Sequence, residues 1–297
     1  MTTSAFSALS VGYLAASRLS DWDRLRVHSC FQRSVNLHHP DGYLLSLLSG
    51  DFQDLPDAIR IPVVGDWDWR HHARVGQYAT FHHGVLQGEG WSVVLRRAPC
   101  WRPERWFSDE EPPLPEALRH YATLAWQLEQ YCRQQNSESD VQLLPGVEQS
   151  RYSRHSPPRV VQLELGDSLV RLTGEVTALI GYGRGLTPDG DDYLLGYMAA
   201  LWPWRRQLAI AAHDAALRNL IGSQLSRTND ISRHYLARAV AGHFSEPICH
   251  LMSLLGSATS SAQIQAAALA VMQFGASSGV DCLAGLLHGL RTLRSSL

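Results

Sequence analysis

Residues 181–192 read GYGRGLTPDGDD and run straight into YLLGYMAALW (193–202). Those twelve residues hold four glycines, three aspartates, one proline and one threonine. A flexible, acidic segment therefore abuts a helix apolar enough to require burial. Glycines 181, 183, 185 and 190 allow positive φ and close approach to the backbone. Pro188 stiffens the turn, and the aspartates fall at a helix start, where N–H groups lack partners and the dipole is positive. One carboxylate would suffice as a cap, worth about 1 kcal/mol. Three within four residues repel one another unless a donor, a cation or solvent intervenes. The stretch is therefore read as a ligand site, the rival reading being a capped structural turn. Free N–H groups would hold an anion and the aspartates a donor-bearing substrate or a hydrated magnesium ion.

On either side of this stretch the chain differs in character. Upstream it reads as sheet. FQRSVNL and LLSLL flank a turn with Pro40-Asp41-Gly42, a hairpin signature. AIRIPVVG (58–65) is a short β-like run, and QYATFHHGVLQ and WSVVLRR flank Gly88-Glu89-Gly90 as a second hairpin. Five of the nine tryptophans lie between 67 and 106, ballast for a thin sheet core. A segment with four prolines and four acids, RPERWFSDEEPPLP (102–115), leads into a helix over about 116–135. A polar loop follows over 136–158. From about 165 the periodicity is helical, with stripes such as Leu169/Leu172/Val176/Leu179, Ala211/Ala215/Leu217/Ile221 and Leu283/Leu286/Leu287/Leu290.

An internal echo strengthens the site reading. Asp189–Gly196 (DGDDYLLG) lines up with Ser278–Gly285 (SGVDCLAG), each opening an apolar helix after a glycine-containing loop. A duplicated loop–helix element would place Ser278, Gly279 and Asp281 beside the first acidic turn. In SRTNDISRHYL (226–236), Asn229 or its neighbours read as an N-cap or as a second contact loop, with Ser232 one turn in.

Other chemistries lack their patterns. No Lys-Ser/Thr follows the glycines, so this is no Walker loop, and Gly181-x-Gly183-x-Gly185 is not the dinucleotide fingerprint. Neither HExxH nor Gly-x-Ser-x-Gly occurs. Histidines pair at 38–39, 71–72 and 82–83, but neighbours on a strand point to opposite faces and would not share a metal. Five scattered cysteines without CxxC spacing argue for a reduced protein. A formal charge of −2, with basic residues clustered only in pairs such as Arg96-Arg97, speaks against nucleic acid. The first twenty residues lack a basic n-region and a long apolar core, and no apolar run reaches membrane-span length, so the expectation is a cytoplasmic protein.

GRGLTPDGDDYLLGYMAAL closely resembles the hallmark motif of the AllH family. FQRSVNLHHPDGYLLSL, ISRHYLARAVAGHFSEPICHLM and FGASSGVDCLAGLLHGL are similar to its other segments, so the likeness spans most of the chain. Gly183, Gly185, Leu186, Thr187, Pro188, Gly190, Asp191 and Asp192 match the motif; Asp189 stands where serine is usual. The resemblance implies a subunit of a three-part oxamate carbamoyltransferase of allantoin (purine) breakdown. That enzyme moves a carbamoyl group between oxalurate and phosphate.

The expectation is thus an α+β protein, with a β-rich part over 1–112 and a mainly helical part over 113–297. Asp191 and Asp192 are the expected catalytic pair. Gly183, Gly185, Thr187, Asp189, Gly190, Asn229, Ser232, Ser278, Gly279 and Asp281 are the expected ligand contacts. Expected partners are a small anionic substrate and other enzyme subunits, with no nucleic acid and no membrane; no cofactor is implied for certain, and magnesium at the aspartates is an open alternative. The alternatives are a non-catalytic docking subunit and a magnesium-nucleotide transferase.

Overall fold

A computed structural model describes residues 4–63, 67–103, 106, 110–145, 158–257, 259–275 and 277–297. The chain is α+β, 47% helical and 17% strand, with a curled sheet over residues 4–101 and helices over 114–294. It divides into two compact units, Met1–Pro103 and Glu104–Leu297.

Among its described residues the first unit holds ten strands: β1 (Ser4–Ser7), β2 (Ser10–Gly12), β3 (Arg24–Cys30), β4 (Ser34–His38), β5 (Leu44–Ser49), β6 (Ala58–Ile61), β7 (Tyr78–His82), β8 (Val85–Gly88), β9 (Trp91–Val94) and β10 (Cys100–Trp101). Two short helices, α1 (Tyr13–Arg18) and α2 (Trp69–His72), interrupt them. The strands form one sheet in the order β1-β9-β8-β7-β3-β4-β5-β6-β2-β10. Its two ends meet at one dipeptide: the Ala8 amide donates to Val94 and the next amide, Leu9, to Arg60. That link curls the sheet around a core in which Trp67, Trp69 and Trp91 pack edge to face at 5.4 and 5.3 Å.

The hairpin expected around Pro40-Asp41-Gly42 joins β4 to β5, with Gly42 at φ 87°. QYATFHHGVLQ is not one strand. It folds at His83-Gly84, both at positive φ (47° and 69°), the geometry of a two-residue hairpin turn. His83 therefore leaves the strand pleat, and the argument that His82 and His83 face opposite ways fails: their rings lie 3.7 Å apart.

The second unit holds α3 (Leu114–Arg119), α4 (Tyr121–Gln135), α5 (Leu169–Leu179), α6 (Asp189–Leu201), α7 (Leu208–Gln224), α8 (Asp230–Val240), α9 (Glu246–Leu255), α10 (Ser261–Met272) and α11 (Ser278–Arg294). Residues 146–157, most of the expected polar loop, lie outside the described residues. Helices α6 and α11 form the centre, almost wholly buried. They run parallel, and the reason lies in the echo. A Cβ on Gly196 would stand 1.8 Å from the Cys282 carbonyl oxygen, and one on Gly285 would stand 1.9 Å from that of Tyr193. In the aligned octets Gly196 matches Gly285 and Tyr193 matches Cys282. The contact is thus reciprocal, as a pseudo-twofold axis between the helices requires.

Several buried polar groups on this pair find partners within the helical unit. Tyr193 Oη meets His288 Nδ1 at 2.8 Å and Tyr197 Oη meets His213 Nε2 at 2.9 Å. Arg218 on α7 donates to Asp214, to the last carbonyls of α8 at Ala239 and Val240, and to Met198 on α6. The helical stripes hold, with two exceptions: Leu169, the first residue of α5, and Ala215 face solvent.

Candidate functional site

The parallel pairing of α6 and α11 brings their two acidic starts together. Thr187, just before α6, and Ser278, the first residue of α11, lie hydroxyl to hydroxyl at 2.6 Å. Both hydroxyls lie beside Asp192 and favour its charged form. Exposure then falls inward: Arg184, Gly185 and Leu186 form an exposed tip, Thr187 and Ser278 are half-buried, Asp192 is 8% exposed and Asp281 0%. Gly185 sits at φ 92° with open space where a side chain would begin, so its backbone can be approached closely.

Each aspartate has a distinct role. Asp191 is a clamp. Its Oδ1 accepts the Gly181 amide at 2.8 Å, and its Oδ2 accepts the hydroxyls of Thr228 and Ser232 at 2.5 and 2.6 Å. One carboxylate thus ties the glycine loop to the start of α8. Asp189 Oδ2 accepts the Asp140 amide at 2.7 Å, tying the loop to the segment after α4. Asp281 Oδ1 accepts the Ser139 hydroxyl. Asp192 and Asp281, equivalent in the echo, each keep one buried carboxyl oxygen, Oδ2, with no hydrogen-bond partner.

Burial sets the electrostatics. Loss of water pushes the Asp192 carboxyl up to about 8, against the Thr187 and Ser278 hydrogen bonds and with the help of the Asp191 and Asp189 charges. Burial, then the Asp189 charge, raises Asp281 well above the usual carboxylate range. Burial raises Asp191 as well, opposed by its three donors. At neutral pH Asp192 therefore carries a proton in most molecules and offers a donor as well as an acceptor. Burial likewise raises the thiols of Cys132, Cys249 and Cys282, which are not primed as nucleophiles.

The structure corrects several expectations. The first amides of α6 are not a row of free anion donors: Gly190 donates to Tyr182, and Asp191 and Asp192 donate to Pro188. Gly190 and Gly279 are explained by packing, since a Cβ would lie 2.2 and 2.1 Å from the carbonyl oxygens of Leu179 and Val271. Gly183 sits at φ 106° against Asp189, a turn requirement. Asn229 is the N-cap of α8 and its side-chain oxygen accepts the amides of Ile231 and Ser232 at 3.1 Å. Ser232 turns inward to Asp191, so it does reach the first acidic turn. The loop aspartates are not among the compact three-donor groups of the described residues. Among the described residues the three-donor group whose ligand atoms lie within 4.8 Å of one another is Asp21, His82 and His83, in the other unit.

Ser139 and Asp140 are buried members of the site that the sequence did not single out. They sit in a polar run, SESD, with no local motif to mark them. A cleft of about 360 Å³ lined by Trp106, Pro112, Trp202 and Met252 lies at the other end of α6, away from these carboxyls.

The sequence model of the oxamate carbamoyltransferase subunit AllH matches residues 179–290, and that of the AllH family N-terminal domain matches residues 7–100. The chain belongs to the AllH family. The first match begins two residues before the glycine loop and ends within α11, so it encloses both acidic turns. No solved structure matches the chain. None of the described helices is long and apolar enough to cross a membrane.

Proposed function

We propose that this AllH-family protein is a subunit of a carbamoyltransferase of allantoin (purine) breakdown and that the paired starts of α6 and α11 bind its small, amide-bearing anionic substrate. In the direction of oxalurate breakdown, a phosphate oxygen bonds to the carbamoyl carbon and the bond from that carbon to the oxamate nitrogen breaks. A proton must reach the departing nitrogen. Oxamate and carbamoyl phosphate result.

One observation supports the reading above others. The Asp192 carboxyl, protonated near neutrality and held between Thr187 and Ser278, keeps a buried oxygen without a partner. A carboxylic acid so placed hydrogen-bonds an amide in both senses, accepting from N–H and donating to C=O. It is also a group able to deliver a proton to a leaving nitrogen. Gly185, in the same loop, is exposed with open space beside its backbone, which a small ligand could approach. Thr187 and Ser278 would orient the amide, and Asp191 would position the loop without touching substrate. In a water-poor site, such positioning accounts for the catalysis and no covalent intermediate is needed.

The test uses the enzyme assembled with its other subunits. Oxamate, oxalurate, phosphate and carbamoyl phosphate are each titrated by thermal shift, and turnover is compared for wild type and Asp192→Asn. The expected result is stabilisation by at least one carbamoyl-bearing compound and a turnover loss of about 100-fold or more in Asp192→Asn. Full turnover in Asp192→Asn removes the residue from the chemistry. Assembly with the partners but no ligand response in any form assigns the chain a docking role instead.

A further inference from the structure

Near the β7–β8 turn three metal-binding side chains converge. His82 Nδ1 lies 3.8 Å from Asp21 Oδ2 and His83 Nδ1 lies 3.7 Å from the same oxygen. All three donor atoms fall within 4.8 Å of one another. The carboxylate–imidazole separations are too long for hydrogen bonds. His82 Nδ1 is buried and has no hydrogen-bond partner. A tetrahedral ion with bonds of about 2.0–2.2 Å holds its ligand atoms roughly 3.3–3.6 Å apart, close to the two carboxylate–imidazole separations of 3.8 and 3.7 Å.

The backbone is arranged to hold that set. His83 takes φ 47° and Trp22 takes φ 77°, two of the three non-glycine positive φ values among the described residues. Such conformations cost energy and persist where the surroundings fix them. Here the fixing contacts are visible. The His83 amide donates to Asp21 Oδ1 at 2.8 Å, so this carboxylate is oriented by the very residue whose ring it meets. The Trp22 amide donates to the Phe81 carbonyl at 2.7 Å, and its indole stacks on the His82 imidazole at 3.5 Å, fixing the ring plane. A surface ion pair needs none of this and is worth little.

We propose that Asp21, His82 and His83 form a three-donor site for a divalent transition-metal ion of the zinc–cobalt–nickel class. Two imidazoles and one carboxylate favour such ions over magnesium or calcium. Three protein ligands leave a fourth position for water, and the side chains are 48%, 30% and 68% exposed, so an ion enters from solvent. The site uses nothing of the Asp192 region and stands or falls independently of the carbamoyltransferase reading.

The experiment titrates the full, tag-free, metal-stripped protein with Co(II), read by its visible d–d absorption, and with Zn(II) by calorimetry. The expected result is one equivalent bound in the micromolar range. Copper(II) bound there should show nitrogen hyperfine structure in its electron paramagnetic resonance spectrum. His82→Asn, His83→Asn and Asp21→Asn should each weaken binding by about tenfold or more, with unchanged circular dichroism. Asparagine suits position 83 because it tolerates positive φ. Binding that is absent, weaker than millimolar, or unchanged from wild type in His82→Asn and His83→Asn overturns the proposal. If one variant misfolds, the other two decide.

Discussion

Asp192 and Asp281 occupy the same place in the two halves of the echo, and each leaves one buried carboxyl oxygen unpaired. Two such groups at the starts of a parallel helix pair are costly unless protonated or met by a ligand. Burial raises both, Asp192 to about 8, above the unfolded carboxylate range near 4. With the folded value above the unfolded one, the native state holds the proton more tightly between them. Stability from Asp192 is therefore fully present below about pH 4 and lost as pH rises toward about 8. Asp192→Asn removes that dependence. Urea unfolding of both proteins from pH 5 to pH 8.5 should show the variant gaining on wild type with rising pH, by at most about 1.4 kcal/mol per unit. A constant difference across that range would show that the carboxyl ionises normally.

His288 works in the opposite direction. Burial and the Arg291 charge depress it to about 3, so the native ring stays neutral on Tyr193. A depressed value contributes stability above the unfolded histidine range near 6.5 that is lost as pH falls toward about 3. Asp192 and His288 thus oppose each other between about pH 4 and 6.5. His288→Gln should flatten the acid limb of the wild-type stability profile, at a cost in packing that does not vary with pH.

The reciprocal glycines give a sharper mutational contrast. Gly196→Ala and Gly285→Ala would each drive a methyl group into the facing helix's backbone, with no flexible side chain to yield. Each should destabilise by about 3 kcal/mol or more, at the upper end of overpacking costs. Gly174→Ala in α5 meets nothing within 4 Å and has no positive φ, so it should stabilise by about 0.5–1 kcal/mol. Equal effects in the two classes would mean that α6 and α11 do not pack in register.

Local chemistry made parts of this legible. The turn at Pro40-Asp41-Gly42, the Asn229 cap and the helix starts at Asp189 and Ser278 each follow from a few adjacent residues. The octet repeat even foretold that two distant turns would meet. What stayed hidden depends on partners far along the chain. Ser139 donates to Asp281 across 142 positions, and no periodicity encodes that. Asp191 appeared as one of three surplus charges, whereas its donors Thr228 and Ser232 come from another helix start. The His83-Gly84 turn was missed because strand alternation on both sides of it reads as continuous, so the meeting of His82 with His83 was missed too. The first two cases turn on contacts distant in sequence, the third on a local turn that strand alternation hides.

Asp191 separates a positioning role from a chemical one. Both of its oxygens accept hydrogen bonds, from one amide and two hydroxyls, so an asparagine must turn an N–H₂ toward a donor. Asp191→Asn should cost about 1–3 kcal/mol of stability, the scale for a buried group left unsatisfied. Ser232→Ala removes one donor and keeps the Thr228 bond to the same oxygen, so its cost should be smaller, about 1 kcal/mol. The two effects should not add, because both act through one carboxylate. A double-mutant cycle by urea denaturation measures the coupling, and an additive result would show that Ser232 does not act through Asp191. In the assembled enzyme, Asp191→Asn should raise KM by loosening the glycine loop more than it lowers kcat, whereas Asp192→Asn should lower kcat. A fall in kcat at unchanged KM in Asp191→Asn would place that carboxylate against the reacting atoms and give the clamp a second task.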